Sequence, residues 1–222
     1  MKEKDILKMY NYVFFDLDGT LTQSEFGILQ AIEYTLKEMG EEETSKETML
    51  KFIGPPLYDS FVGILGYDDE KANKGVKIFR DYYESTTLFN APLYEGIEEV
   101  LEKLHKEGKK LYVVTSKVER MAEAIVEHFG IDKYFAGVVG SDPNSKTHGK
   151  DELIRRVFAM ENVDDISTCV MIGDRLFDIN AANKVGIDSI GAEYGYGTRK
   201  ELEDCGSTYI VEKPMEILEI VG

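Results

Sequence analysis

The chain has 222 residues, of which 43% are hydrophobic and 31% are charged, so it is long and apolar enough to bury a core. Acidic residues outnumber basic ones by 42 to 26, and the net charge of −16 argues against nucleic acid as a partner because like charges repel. No apolar run reaches the roughly 18 residues of a membrane span, so no membrane partner is expected. The first five residues mix both charges and lack the apolar stretch of a secretion signal, which predicts a cytoplasmic protein.

Short apolar runs alternate with longer amphipathic segments along the chain. Continuous apolar runs are typical of parallel strands that are covered on both faces. The predicted strands are residues 12–15, 110–114, 136–139 and 169–172, with weaker ones at 188–191 and 209–211. Between them, apolar residues recur every three or four positions in segments that begin near Ile97, Met121 and Leu153, which predicts helices. The alternation predicts a parallel α/β sheet with right-handed crossovers.

One long interval breaks this alternation after the first predicted strand. Residues 23–89 show helical patterns and no convincing strand. We therefore expect two domains, a core formed by residues 1–22 and 90–222 and an inserted helical domain formed by residues 23–89.

Two carboxylates, Asp16 and Asp18, follow the first predicted strand directly. Side chains two residues apart on an extended backbone point the same way. Such a pair repels itself unless one member is protonated or a cation lies between them, and Mg²⁺ prefers oxygen ligands. An ordinary turn at Asp18 and Gly19 is the structural alternative. The full string from Phe15 to Leu21 favours a functional site.

Polar residues also follow the second predicted strand and begin a later helix. Thr115 and Ser116 offer hydroxyl and amide groups that can hold a phosphate oxygen, although a helix N-cap is an equally good interpretation and is compatible with it. Lys150 begins a predicted helix, where a cation is unfavourable unless an anion such as phosphate lies nearby. A surface lysine is the alternative there, and Lys146 is a second candidate for the same role.

Two further acids, Asp174 and Asp178, follow the strand at 169–172. Residues four apart share one face of a helix, so both carboxylates could bind one metal ion. Acids are also favoured at a helix start by the helix dipole, which is the simpler explanation. Ligands of parallel α/β folds gather at the carboxyl ends of the strands, and we expect Asp16, Thr115 and Asp174 to meet there.

These four segments, in this order, resemble the haloacid dehalogenase superfamily of phosphatases over nearly the whole chain. The resemblance implies a Rossmann-like parallel-sheet core with an inserted α-helical cap domain that closes over the site. It also implies Mg²⁺ as cofactor and a small phosphorylated metabolite as substrate. Residues 52–61 and 193–197 are similar to the phosphoglycolate phosphatase and 5′-nucleotidase-like group.

The resemblance implies a role for each motif residue. Asp16 would be the nucleophile, Asp18 the general acid and base, and Lys150 a catalytic cation that neutralises Asp16 and the phosphate. The expected phosphate-binding residues are Gly19, Thr115, Ser116, Lys150 and Arg175. The expected metal ligands are Asp16, Leu17 through its carbonyl, Asp18, Asp174 and Asp178. Arg175 stands where a small hydroxyl residue is common in that group, which leaves the substrate open.

The reaction that the resemblance implies is hydrolysis of a phosphate monoester through an aspartyl phosphate. A phosphomutase with the same nucleophile is the main alternative. A receiver-type signalling module uses similar residues, but it is about half this length and lacks a helical insertion. A non-catalytic scaffold is disfavoured because every expected catalytic position is filled. The sequence leaves open the substrate and the choice between monomer and homodimer.

Overall fold

The computed structural model describes residues 9–41, 44–53, 55–142 and 149–222. The strands found there are β1 (Tyr12–Phe15), β2 (Lys110–Val118), β3 (Phe135–Ser141), β4 (Cys169–Gly173), β5 (Asp188–Ala192) and β6 (Tyr209–Val211). Within the described residues they form one sheet in the order β3-β2-β1-β4-β5-β6, and every neighbouring pair is parallel. The predicted parallel α/β fold is confirmed.

Helices occupy more than half of the remaining described residues. In chain order they are α1 (Glu25–Glu38), α2 (Lys46–Leu50), α3 (Leu57–Leu65), α4 (Asp69–Tyr82), α5 (Ile97–Lys106), α6 (Glu119–His128), α7 (Lys150–Glu161), α8 (Leu176–Val185), α9 (Arg199–Asp204) and α10 (Ile217–Val221). The three helices predicted from apolar spacing correspond to α5, α6 and α7. No helix in the described part of the chain is both long and apolar enough to cross a bilayer.

The position of β1 in the sheet sets the position of the site. It pairs with β2 on one side and β4 on the other, and Phe15 lies opposite both Val113 and Ile172. Val13, Phe14 and Phe15 are fully buried, as expected for a central strand that helices cover on both faces. Residues that follow β1, β2 and β4 therefore emerge at one edge of the sheet.

The described chain divides into two units by its internal contacts. One is Thr22–Pro92, and the other comprises the remainder, up to Leu21 and from Leu93 onward. The unit Thr22–Pro92 contains α1 to α4 and a π-helical turn at Tyr83–Thr87, and no strand occurs among its described residues.

Aromatic side chains form much of the interior of the unit Thr22–Pro92. The ring of Phe61 lies 5.3 Å from that of Phe52 and 5.7 Å from that of Tyr67, and all three side chains are buried. Tyr58, by contrast, is partly exposed and donates a hydrogen bond of 2.6 Å to Asp69 at the start of α4. Packing of the large rings stabilises this unit because each removes a large apolar surface from water.

Candidate active site

Asp16 lies at the carboxyl end of β1, at the edge where the neighbouring strands also end. Its amide donates to the carbonyl of Ile172 at 2.9 Å, which extends the β1–β4 ladder by one residue. Its carboxylate is 12% exposed, and Oδ1 lies 2.9 Å from Nζ of Lys150. Burial raises the pKa of Asp16 to about 6, although the positive charge of Lys150 acts in the opposite direction.

Lys150 is the first residue of α7, and its side chain is 4% exposed. Its ammonium contacts the carboxylates of both Asp16 and Asp178. Burial alone would lower the pKa of Lys150, but attraction to these two carboxylates raises it above its ordinary value. The two buried carboxylates therefore explain why a cation stands at this helix start. Because Lys150 is buried, the alternative of an exposed surface lysine is excluded. The rival candidate, Lys146, lies outside the described residues.

Asp174 and Asp178 bring two more carboxylates to the same place. Asp174 follows β4 and accepts hydrogen bonds from the Tyr196 amide at 2.8 Å and the Thr20 hydroxyl at 3.4 Å. Asp178 lies in the first turn of α8 and accepts the Arg175 amide at 3.1 Å. Burial, reinforced by the charges of Asp178 and Asp16, raises the pKa of Asp174 well above its ordinary value.

One oxygen from each of Asp16, Asp174 and Asp178 lies within 4.8 Å of the others. The three carboxylates are buried, and Lys150 supplies one positive charge beside them. The group therefore carries excess negative charge, which is costly in a site of low dielectric constant. Carboxylate oxygens are the ligands that Mg²⁺ prefers, so the chemistry of this group fits a divalent cation.

Two of the residues predicted as metal ligands have other surroundings. Asp18 lies outside the group of three carboxylates. The carbonyl of Leu17 accepts the amides of Leu21 at 2.9 Å and Thr20 at 3.3 Å, within the loop that follows β1. These backbone bonds hold the loop in shape and give no support to Leu17 as a ligand.

Glycines around Asp174 explain why the loops approach it so closely. Gly19 has φ +82°, and a Cβ there would lie 2.2 Å from Oδ2 of Asp174. A Cβ on Gly195 would lie 2.3 Å from Cβ of Asp174, and one on Gly197 would lie 1.9 Å from its carbonyl oxygen. Gly195 and Gly197 have no predicted role, although both lie in the segment 193–197 on which the family resemblance partly rests.

Thr115 and Ser116 lie within β2, which continues to Val118. The pairing of β2 with β3 is irregular between Val114 and Val118. Thr115 is buried while Ser116 is exposed. The N-cap of α6 is Val118, so the helix-cap interpretation of Thr115 is wrong; the strand simply runs on past it. Its Oγ1 instead accepts the amide of Lys117 at 3.2 Å.

Lys117 is a charged residue at this edge that the sequence interpretation left without a role. Its Nζ lies 2.8 Å from Oδ2 of Asp18, and the two side chains are 8% and 22% exposed. The other carboxylate oxygen of Asp18, Oδ1, is buried and has no hydrogen-bond partner among the described residues.

Arg175, predicted to bind phosphate, is engaged by an acid of α9. Its Nε donates to Oε1 of Glu201 at 2.9 Å, and the amide of Leu176 donates to the same oxygen at 2.9 Å. The guanidinium also lies 5.9 Å from the ring of Phe177. These contacts join the start of α8 to α9 and give Arg175 a structural role.

The family model described as haloacid dehalogenase-like hydrolase matches residues 13–192 of the chain. This stretch carries the four aspartates and the two lysines described above, which are Asp16, Asp18, Asp174, Asp178, Lys117 and Lys150. This chain belongs to the haloacid dehalogenase-like hydrolase family. The family membership and the parallel sheet agree with the resemblance found in the sequence.

Individual haloacid dehalogenase-like relatives are similar over nearly the whole chain. A 5′-nucleotidase from Pseudomonas aeruginosa is 36% identical over 199 residues, 90% of each chain. A phosphoglycolate phosphatase from Vibrio parahaemolyticus is 28% identical over 230 residues, 100% of this chain and 99% of the other. A solved haloacid dehalogenase-like family hydrolase from Streptococcus pneumoniae has a TM-score of 0.88 and 31% identity, covering 95% of this chain and 97% of its own.

Proposed function

We propose that this protein is a magnesium-dependent phosphatase that hydrolyses a small phosphate monoester through an aspartyl phosphate on Asp16. The observation that carries the proposal is the pairing of the Asp16 carboxylate with Lys150 inside a cluster of two further carboxylates, Asp174 and Asp178. Phosphoryl transfer needs mainly positioning and charge neutralisation. Asp16 lies beside the buried ammonium of Lys150 and beside carboxylates that can bind a cation, so it is suited to attack a dianionic phosphate.

The proposed reaction has two displacements. A carboxylate oxygen of Asp16 attacks phosphorus, and Asp18 donates a proton to the departing alcohol oxygen as its bond to phosphorus breaks. Asp18 then takes a proton from water while the water oxygen attacks the aspartyl phosphate, which releases phosphate and restores Asp16. One residue acts as acid and then as base because the covalent intermediate separates the two steps. Thr115 and Ser116 are proposed to bind the phosphate.

Asp16, Asp174 and Asp178 would hold the magnesium ion. When bound, the ion supplies positive charge that offsets the three carboxylates and the negative charge of the phosphate. Lys150 remains in contact with Asp16 and Asp178 and keeps the nucleophile oriented by its ion pair.

The substrate class proposed is a small phosphorylated metabolite, with nucleoside monophosphates and phosphoglycolate as first candidates. The similarity to a 5′-nucleotidase and to a phosphoglycolate phosphatase supports these two choices. We propose that the unit Thr22–Pro92 is the cap domain and that it determines which of these substrates is hydrolysed. Cap domains commonly set substrate specificity by supplying groups around the leaving alcohol.

The proposal is tested with purified wild-type protein and Asp16→Asn on a panel of nucleotides, sugar phosphates, phosphoglycolate, pyrophosphate and phosphotyrosine. We expect wild-type phosphate release to need magnesium and no bisphosphate activator. Asp16→Asn should be inactive although its circular dichroism spectrum shows that it is folded. A mutase would require the activator. Retention of most activity by Asp16→Asn, or full activity after exhaustive chelation, would contradict the proposal.

A further inference from the structure

Lys117 is a nearly buried cation that the proposed reaction does not use. Its side chain is 8% exposed, and its ammonium lies 2.8 Å from Oδ2 of Asp18. Lysine is almost never buried unless it is paired, because removing the ammonium from water is costly. The pairing with Asp18 therefore offsets part of the cost of burying Lys117.

The local backbone fixes the approach of Lys117 to Asp18. The three residues Thr115–Lys117 lie where the pairing of β2 with β3 loses its regular register. The Lys117 amide donates to Oγ1 of Thr115 at 3.2 Å, which ties the two residues together within this irregular segment. Bulges of this kind re-aim side chains near active sites. The segment that offers Thr115 to the phosphate thus also sets where the Lys117 ammonium lies.

The two oxygens of Asp18 have different surroundings. Oδ2 contacts Lys117, whereas Oδ1 is buried and lacks a hydrogen-bond partner within the part of the chain that the structure describes. A buried oxygen without a hydrogen-bond partner is costly in a folded protein, and a catalytic role is one of the reasons for which such groups are retained. A general acid must present one oxygen in a fixed direction to the group that it protonates.

We propose that Lys117 is a positioning residue for Asp18. It holds Oδ2, so that Oδ1 carries the proton to the leaving oxygen and later accepts one from the attacking water. This inference rests on the proposed function, because it assigns Lys117 to the acid–base step of that same reaction. Lys117 acts through Asp18 and makes no contribution of its own to substrate binding.

A double-mutant cycle tests this assignment. Lys117→Met, Asp18→Asn and the double variant are compared in magnesium with p-nitrophenyl phosphate and with the best alkyl phosphate of the panel. We expect Lys117→Met to lower kcat about 10- to 100-fold, since misplacing a catalytic group by about 1 Å costs on that order. KM should change less than about two-fold, and in the Asp18→Asn background the same substitution should change kcat less than about two-fold.

Three controls accompany the cycle. Lys106→Met removes an exposed lysine that pairs with Glu102 on α5, and it should leave kcat unchanged. The dissociation constant of inorganic phosphate, measured by calorimetry, should be the same for Lys117→Met and the wild type. Lys117→Arg retains a cation and should recover part of the lost kcat, and it replaces the methionine variant in the cycle if that variant does not fold.

The outcomes separate this inference from the proposed function. Equal losses of kcat in both backgrounds would show that Lys117 acts independently of Asp18. A raised KM with unchanged kcat would show that Lys117 binds the substrate. Either result would overturn the positioning role. Wild-type activity of Lys117→Met beside inactive Asp16→Asn would also overturn it, while leaving the proposed phosphatase intact. Full activity of Asp16→Asn would instead remove the phosphatase mechanism itself.

Discussion

At the residue scale, the proposed chemistry depends on the spacing of carboxylates and cations around Asp16. Asp16 and Asp178 share the ammonium of Lys150, and Asp174 approaches both. Breaking a buried ion pair leaves an uncompensated charge, so none of these residues can be changed without affecting the others. Asp18 belongs to a second pair, with Lys117, that lies outside the carboxylate group. The two groups correspond to the two roles in the proposed mechanism, attack on phosphorus and proton transfer.

Gly195 permits a prediction at this scale. In Gly195→Ala, the new methyl group would lie 2.3 Å from both Cβ of Asp174 and the carbonyl oxygen of Gly19, so backbone must move. Overpacking of this kind costs about 1–3 kcal/mol. We expect lower stability and weaker magnesium activation, measured by urea unfolding and by magnesium titration of phosphate release.

Gly63 provides the matched control for that substitution. It lies in α3, and a Cβ there meets nothing within 4 Å. Gly63→Ala should keep wild-type magnesium activation and gain slightly in stability, because alanine is favoured over glycine inside a helix. Wild-type stability and magnesium activation in Gly195→Ala would show that Asp174 tolerates the methyl group.

At the element scale, Glu119 joins three elements near the candidate site. It begins α6, its Oε2 accepts the amide of Gly140 in β3 at 3.0 Å, and both its oxygens pair with Arg156 of α7, at 2.7 and 3.1 Å. Two-point pairing of arginine with a carboxylate is stronger and more directional than a single contact. The glutamate therefore holds the end of an edge strand against the helix that begins with Lys150.

Removal of this link should lower stability measurably. Hydrogen bonds to a charged group contribute about 1.5–3 kcal/mol, and we expect Glu119→Ala to lose about 1–3 kcal/mol of unfolding free energy in urea. Glu102→Ala is the comparison, because Glu102 makes a solvent-exposed pair with Lys106 at 2.7 Å. Exposed pairs four residues apart contribute about 0.3–0.5 kcal/mol. Equal losses in the two variants would mean that Glu119 contributes no more than an ordinary surface ion pair.

At the scale of the whole molecule, the net charge of −16 opposes the arrival of a phosphorylated anion. Salt shortens the range of this repulsion, from about 30 Å at 0.01 M to about 8 Å at 0.15 M ionic strength. Lys117 and Lys150 are each paired with carboxylates, so their positive charges do not reverse the negative electrostatic potential that an approaching substrate meets.

We expect kcat/KM for a dianionic phosphate monoester to rise with ionic strength at saturating magnesium. The reason is that screening reduces the repulsion between substrate and protein. Phosphocholine, whose ammonium lowers its net charge, serves as the comparison substrate and should respond less. The measurement is initial phosphate release across a series of potassium chloride concentrations. A fall in kcat/KM with salt would indicate that local attraction outweighs the net charge.

The sequence by itself determined the parallel α/β core and most of the acidic cluster. Continuous apolar runs marked the strands. Acids directly after two of these strands marked Asp16 and Asp174, and a cation at a helix start, where the helix dipole disfavours it, marked Lys150. These signals are local and can be read from neighbouring positions.

Only the tertiary structure decided the contacts between distant segments. The pairing of Lys117 with Asp18, the approach of Gly195 to Asp174 and the engagement of Arg175 by Glu201 have no periodicity or spacing that reveals them. The irregular end of β2 likewise arises from its pairing with β3. Each depends on which strands are neighbours and how their loops pack, and that information exists only once the chain has folded.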